Sequence, residues 1–191
     1  MYDKSTVSQI TYFNAPGPEN TAAVIKAAVA RAEERGIKEI VVATQSGDTA
    51  LKTAAAFPGK KIIAVSYHSG SKEPFDDLLP ASARRELEDK GVKVLTCSHA
   101  LSGAERAIDK EGGWAPLNLV AQTLRIFGQG TKVCVEIVLM AADAALLSGS
   151  DLIALAGSGR GADTALLISP ANQNRIFDLR VKEIICKPDD F

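Results

Sequence analysis

Short apolar runs alternate with longer amphipathic segments along the chain, and this alternation limits the folds that the chain can adopt. Four or five apolar residues bounded by turn residues are typical of strands buried on both faces of a parallel sheet. The segments between the runs have helical periodicity and end at glycine or proline. Strand–helix–strand crossovers are right-handed and place helices against the sheet. The sequence therefore predicts an α/β fold with three layers, in which a mostly parallel sheet has helices on both faces.

The individual elements can be placed from the same pattern. Strands are predicted at 7–13, 40–43, 62–65, 92–95, 152–156, 165–169 and 177–186, and helices at 21–35, 49–57, 80–90, 117–127 and 132–147. The last two strands alternate apolar and polar residues more than the others, so they are expected to be antiparallel edges that close the sheet. The length fits one domain over residues 1–191, in which the helical segment 102–147 covers the sheet or forms an interface between copies of the chain.

Charge and hydropathy narrow the classes of partner. The chain has 22 Lys and Arg against 23 Asp and Glu, a formal net charge of -1, which argues against nucleic acid and anionic membranes. The most apolar helical region, 133–147, contains Glu136 and Asp143 and is shorter than the roughly 20 apolar residues that span a bilayer. The N-terminal residues lack a signal-peptide pattern, so we expect a cytoplasmic protein.

The cysteines indicate no special chemistry. Cys97, Cys134 and Cys186 are an odd number and lie far apart, which argues against a disulfide framework and favours a reducing compartment. We expect no metal site, because no second pair of cysteine or histidine residues completes one.

Polar and glycine-rich segments follow the first five predicted strands. In open α/β sheets, ligands bind outside the carboxyl ends of the strands, so these segments are the candidate site. The candidate binding residues are Asn14 after the first strand, Thr44, Gln45, Ser46, Gly47, Asp48 and Thr49 after the second, Ser66 and His68 after the third, His99 after the fourth, and Gly157, Ser158, Gly159, Arg160, Gly161, Asp163 and Thr164 after the fifth.

Two of these loops suit an anion such as phosphate. The loop at 44–50 leads directly into a helix and offers backbone N–H groups, a positive helix end and hydroxyl donors. The loop at 157–165 has glycines at alternate positions around Arg160, whose forked cation suits phosphate or carboxylate. The simpler alternatives remain open: Ser46 or Asp48 could serve only as a helix cap, and Arg160 could lie on a solvated turn.

Several enzyme classes lack their motifs. The chain has no G-x-S-x-G elbow and no G-x-x-x-x-G-K-[ST] loop, and the spacing at 157–161 is G-x-G-x-G rather than the dinucleotide-binding G-x-G-x-x-G. No catalytic residue can therefore be assigned. His68 and His99 follow neighbouring strands, which leaves open a hydrolase or transferase that uses one of them as a base.

The stretch from Thr44 to Ala50, between the IVVA and IIAV strands, resembles the C-terminal α/β domain of pyruvate kinase. Over its whole length the chain is similar to stand-alone archaeal and bacterial proteins described as pyruvate kinase α/β-domain-like. The stretches that carry this resemblance are YFNAPGPENT at 12–21, TQSGDTA at 44–50, FGQGTKVCVEIVLMAA at 127–142 and GSGRGADTA at 157–165.

The resemblance implies a phosphate-binding loop at Thr44, Ser46, Gly47, Asp48 and Thr49, and bound flavin mononucleotide (FMN) as cofactor. Asp48 departs from the kinase pattern. This departure matters, because an acidic side chain that faced the phosphate would repel it. The catalytic (β/α)₈ barrel of pyruvate kinase needs about 250 residues, so this chain is not a pyruvate kinase. We expect a protein that holds FMN or a similar phosphorylated ligand. An oxidoreductase is one form that this function could take. The alternative is a metabolite-binding regulatory or assembly module without catalysis. The chain could also form a homo-oligomer.

Overall fold

The computed structural model describes residue 5 and residues 7–191, and it contains a seven-stranded sheet with helices on both faces. The strands are β1 (Thr11–Phe13), β2 (Glu39–Ala43), β3 (Lys61–Ser66), β4 (Lys93–Thr96), β5 (Leu152–Ala156), β6 (Thr164–Ser169) and β7 (Arg180–Pro188). The α-helices are α1 (Thr21–Glu34), α2 (Asp48–Ala56), α3 (Ala81–Asp89), α4 (Glu105–Lys110), α5 (Pro116–Arg125) and α6 (Gln129–Asp143). Short 3₁₀ turns occupy Pro18–Asn20 and Gln173–Asp178.

The strand order is β1-β7-β6-β5-β2-β3-β4. The pairs β1–β7, β5–β2, β2–β3 and β3–β4 are parallel, while β6 is antiparallel to both of its neighbours. In the centre, Ile40 lies opposite Ile62 on one side and Ile153 on the other. The predicted fold class, an α/β sheet that is mostly parallel, is confirmed.

Alternation along the strands divides the core into two layers. Ile40 and Val42 pack with α1, α2 and α3 on one face of the sheet, and Val41 packs with α5 and α6 on the other. Helix α6 buries eleven of its fifteen residues, which explains why its sequence is apolar almost all round. Helix α6 thus covers one face of the sheet, and α5 packs against α6.

The sequence prediction differs from the structure at several elements. The first strand begins at Thr11 rather than at 7, and residues 7–10 form no strand. The last strand begins at Arg180 rather than at 177, because Phe177 lies in the 3₁₀ turn. The final two strands are antiparallel to one another, but neither is an edge: β1 pairs outside β7 and is itself only three residues long. Helix α6 ends at Asp143, because Ala145 adopts a left-handed conformation with φ of 56°. The short helix α4 was not predicted.

A buried carboxylate stabilises the amino end of β2. Glu39 accepts a hydrogen bond from Lys61 Nζ at 2.9 Å, and it also accepts bonds from the backbone N–H and hydroxyl of Ser148. Burial opposes ionisation of Glu39, but these hydrogen bonds outweigh it and lower the pKa of the carboxyl.

Over the described residues, no helix is both long and apolar enough to cross a membrane.

Candidate functional site

A cavity of about 820 Å³ lies at the carboxyl ends of β2, β3 and β5. The loop after β2 leads to α2 and β3, whereas the loop after the adjacent β5 leads away to β6 on the other side. Neighbouring strands whose connections diverge in this way leave a crevice, which is the usual ligand site of an open α/β sheet. The volume lies within the range of small-molecule pockets.

The first loop, 44–49, is held in place by its own hydrogen bonds. The buried Thr44 hydroxyl accepts the backbone N–H of Gly47 at 3.0 Å. Asp48 turns toward Lys52 and accepts a hydrogen bond from its ammonium at 2.8 Å, so a cation offsets the acidic departure from the kinase pattern. Gln45 and Ser46 are exposed at the cavity wall.

Gly47 has a structural reason to be glycine. Its φ is 95°, and a Cβ atom there would lie 2.9 Å from the Cβ of Ala83 in α3. The residue faces α3 and does not line the cavity. Close packing against α3, together with the left-handed φ, therefore explains why position 47 is glycine.

The second loop, 157–163, is anchored from below by Asp163. This side chain is 1% exposed, and its two oxygens accept the backbone N–H of Ser158 at 2.9 Å and the hydroxyl of Thr164 at 2.7 Å. Thr21, the first residue of α1, accepts the N–H of Ala162 at 3.0 Å. Asp163 and Thr164 thus lie beneath the loop and shape it, rather than lining the cavity.

The glycines of the second loop have different roles. A Cβ at Gly157 would lie 2.5 Å from the carbonyl oxygen of Gly161, and one at Gly161 would lie 2.5 Å from the hydroxyl of Thr21. At both positions, neighbouring protein atoms leave no room for a side chain. Gly159 has nothing within 4 Å of such a Cβ and has no left-handed φ, although it lines the cavity. The fold itself gives no steric reason for glycine at 159.

Positive charge dominates the cavity wall. Two of its cations have carboxylate partners there, Lys52 with Asp48 and Lys132 with Glu136. The other four are Lys72, Arg106, Arg125 and Arg160. A concave site with this excess of cations concentrates anions, even though the chain as a whole is nearly neutral.

The pair Lys132 and Glu136 lies one helical turn apart in α6, with exposures of only 5% and 3%. Glu136 accepts a hydrogen bond from Lys132 through one oxygen and from the backbone N–H of Leu101, at 3.0 Å, through the other. Burial lowers the pKa of the Lys132 ammonium; Glu136 opposes this, and Arg125 and Arg106 add to it.

The two histidines lie side by side at the rim. Their ring centroids are 4.9 Å apart in an edge-to-face arrangement, and the ring of Tyr67 lies 5.0 Å from that of His99. His99 lines the cavity, whereas His68 does not, and the Nδ1 of His68 forms a hydrogen bond with the backbone oxygen of Ser69. Burial lowers the pKa of His99, with Glu136 opposing and His68 reinforcing, so the imidazole is mainly neutral at neutral pH.

Most of the predicted binding residues do meet at this cavity. Those that line it are Thr44, Gln45, Ser46, Asp48, Thr49, Ser66, His99, Gly157, Ser158, Gly159, Arg160 and Gly161. Those that do not are Asn14, Gly47, His68, Asp163 and Thr164. Asn14 is exposed beyond the end of β1.

Sequence reasoning missed the helical side of the cavity. Its residues there are Arg106 of α4, Arg125 at the end of α5, and Lys132 and Glu136 of α6. The sequence did contain a signal for Lys132 and Glu136, which are a cation and a carboxylate four residues apart in an otherwise apolar helix. Charged side chains in such a helix are seldom fully buried unless they form an ion pair or serve a function. The same helix gives the cavity an apolar wall at Val133, Ile137 and Met140. Among the described residues, no cluster of His, Cys, Asp and Glu could hold a metal ion.

The fold is that of an open α/β domain with a cavity at the carboxyl edge of its sheet. Residues 22–168 match the family model "Pyruvate kinase, alpha/beta domain", so the chain belongs to this family. It is a counterpart of the pyruvate kinase C-terminal domain and not a complete catalytic pyruvate kinase, since 191 residues cannot include a (β/α)₈ barrel of about 250.

Solved structures of similar proteins include a pyruvate kinase from Cryptosporidium parvum, with 19% identity and a TM-score of 0.42 over 78% of this chain and 22% of that chain. A Cryptosporidium parvum pyruvate kinase in complex with ADP has 21% identity and a TM-score of 0.37 over 76% of this chain and 22% of that one. The chain thus spans 22% of the length of these kinases.

Proposed function

We propose that the cavity binds a phosphorylated organic ligand, and that FMN is such a ligand. The observation that carries the proposal is the excess of cations around an 820 Å³ crevice in a chain whose formal net charge is -1. An uneven distribution of this kind favours an anionic ligand over a neutral one.

The two loops suit the phosphate end of the ligand. Arg160, in the second loop, lines the cavity, and its guanidinium is a planar, forked cation of the kind that can hold phosphate through two parallel hydrogen bonds. The hydroxyl oxygen of Ser158, next to it, is buried and has no hydrogen-bond partner in the part of the chain that the structure describes. A buried polar atom without a partner is costly, so a rotation of the Ser158 side chain that brings its hydroxyl to a ligand oxygen in the cavity would be favourable. The open space at Gly159 gives the ligand room to reach the backbone.

The helical side suits an aromatic ring. Val133, Ile137 and Met140 form an apolar wall, and the ring of Tyr67 lies at the rim. These residues fit the isoalloxazine ring of FMN, which needs apolar surface together with a few polar groups at its edge. When bound, a flavin supplies one- and two-electron redox chemistry. The role of the protein would then be to bind the phosphate and to exclude water from the ring, and oxidoreductase activity would depend on a substrate that reaches it.

The test is a titration of FMN into the full chain, followed by the absorbance and fluorescence of the flavin, with wild type, Arg160→Ala and Arg160→Lys. Loss of a charge-assisted hydrogen bond costs about 1.5–3 kcal/mol, so the alanine variant should bind roughly ten- to a hundredfold more weakly. Lysine should restore only part of the affinity, because it keeps the charge and loses the fork. The matched control is Arg175→Ala, which removes an exposed arginine that does not line the cavity.

Measurements at two ionic strengths separate the possible results. Binding through Arg160 should weaken as salt is added, and the alanine variant should lose much of that dependence. If Arg160→Ala binds FMN as tightly as wild type at both ionic strengths, Arg160 does not hold the phosphate. If the protein binds inorganic phosphate in competition with sugar phosphates but does not bind FMN, the ligand is a different phosphorylated metabolite, as expected of a regulatory module.

A further inference from the structure

Lys132 has the surroundings of a reactive amine. It lines the cavity although only 5% of it is exposed, and the apolar side chains of Val133 and Ile137 lie on the same wall. Arg106 and Arg125 line the cavity too, and all three cations also line a second cavity of about 250 Å³. A lysine that is desolvated, or placed next to other cations, loses its proton more easily and becomes a nucleophile.

Glu136 completes a nucleophile–base–orienting group arrangement. Its carboxylate accepts a hydrogen bond from Lys132 through one oxygen, so it can take a proton directly from the ammonium. Its other oxygen is fixed by the backbone N–H of Leu101 at 3.0 Å. A nucleophile in contact with a base that a third group holds in place is the general geometry of covalent catalysis.

We propose that Lys132 forms a reversible imine with a carbonyl group of a phosphorylated aldehyde or ketone bound in the cavity. This proposal rests on the anion-binding part of the proposed function, and it does not require the ligand to be FMN.

The chemical step balances within the site. Glu136 accepts one proton from the Lys132 ammonium, and the freed electron pair on Nζ forms a C–N bond to the carbonyl carbon. The π electrons of the C=O bond move to its oxygen, which takes the proton back from Glu136 and gives a carbinolamine. The C–O bond then breaks, and the oxygen leaves as water with a second proton from nitrogen. One ammonium and one carbonyl thus become one protonated imine and one water, and no oxidant or reductant is consumed.

The other lysines of the cavity differ from Lys132. Lys52 is paired with Asp48 near the entrance, and more than half of its side chain is exposed. Lys72 lies in the loop after β3, with no carboxylate partner among the described ion pairs. Neither lysine has the buried surroundings that activate an amine, so both should react slowly with carbonyl compounds at neutral pH.

The probe for the experiment is pyridoxal 5′-phosphate, a phosphorylated aldehyde, added to the full chain and followed by borohydride, which reduces an imine to a stable amine. Peptide mass mapping then locates the label. We expect one pyridoxyl group at Lys132, formed at least about tenfold faster than on exposed lysines. Pyridoxal without the phosphate should react roughly tenfold more slowly, because the anion site no longer holds it. Inorganic phosphate and FMN should slow the labelling.

Two variants test the assignment. Lys132→Arg keeps the positive charge beside Glu136 but cannot form an imine, so the fast labelling should disappear. Lys182→Arg is the control, because Lys182 is paired with Asp151 outside the cavity, and its substitution should leave the labelling unchanged. If Lys132→Arg does not fold, as judged by circular dichroism, the labelled peptide of the wild-type chain still decides the question.

The outcomes separate the two proposals. If pyridoxal 5′-phosphate displaces FMN or phosphate but leaves Lys132 unlabelled, the imine proposal is overturned and the anion site stands. Label spread evenly over the surface lysines, or unchanged in Lys132→Arg, also overturns the imine. If phosphate, FMN and pyridoxal 5′-phosphate all fail to bind, the proposed function fails, and the imine proposal with it.

Discussion

Gly157 and Gly159 lie two residues apart in the loop after β5, and the structure predicts opposite effects of the same substitution. At Gly157 an alanine Cβ would lie 2.5 Å from the carbonyl oxygen of Gly161 and 3.2 Å from the Cα of Ala162. Both neighbours are backbone atoms of a tight turn, so the strain cannot be relieved by rotating a side chain. At Gly159 the new Cβ has no neighbour within 4 Å.

The magnitudes follow from these distances. Overpacking against fixed atoms costs about 1–3 kcal/mol, so Gly157→Ala should destabilise the protein by that amount. Gly159→Ala meets no atom and needs no left-handed φ, and alanine restricts the unfolded chain, so it should stabilise the protein by about 0.4–1 kcal/mol. Because Gly159 lines the cavity, the same methyl group should weaken binding of FMN or phosphate.

The assay is urea unfolding of both variants, followed by circular dichroism, together with an FMN titration of each. The midpoint should fall for Gly157→Ala and stay level or rise for Gly159→Ala, with the slope of the free energy against urea unchanged. Equal destabilisation by the two substitutions would refute the view that one glycine serves the fold and the other the cavity. So would a Gly159→Ala variant that binds its ligands with wild-type affinity.

Other predictions concern single groups. Thr44→Val removes the acceptor for the buried N–H of Gly47, and should cost about 1–3 kcal/mol in urea unfolding, whereas Thr44→Ser should cost much less. Burial raises the pKa of the Cys134 thiol well above its usual value, so a thiol reagent should modify the half-buried Cys97 first and reach Cys134 only after unfolding; equal rates in the native protein would contradict this. The pKa of Glu39 is lowered in the folded state. Its contribution to the free energy of unfolding is therefore complete above the unfolded pKa of 4.5 and is lost as pH falls through the lower folded pKa. Glu39→Gln should flatten the dependence of the unfolding free energy on pH between these two pKa values.

The sequence predicts the strand-end loops well because their determinants are local. Thr44 to Thr49 and Gly157 to Gly161 each follow a short apolar strand, and the position of a loop after a parallel strand fixes which edge of the sheet it occupies. The helical side of the cavity could not be placed in this way. Arg106 and Arg125 reach the cavity only because α4 and α5 pack beside α6, which is a tertiary arrangement without a short-range signature.

The errors at the sheet edge have a related cause. Strand β1 has only three residues, and its exposed pattern does not differ from that of a loop. Its pairing depends on β7, which lies at the other end of the described chain. Alternation in β7 correctly indicates antiparallel pairing with β6, but a pattern within one strand cannot show whether another strand lies outside it.

The pairing of β1 with β7 has a consequence for the order in which the chain folds during synthesis. Strands β2, β3 and β4 can associate early, because few residues separate them. Strand β1 must wait until Cys186 has left the ribosome, since Thr11 pairs with it. Until then β6 also lacks its second partner, and an unpaired apolar strand is a template for aggregation. Contacts between such distant residues slow folding, so completion of this edge is expected to be the last and slowest step.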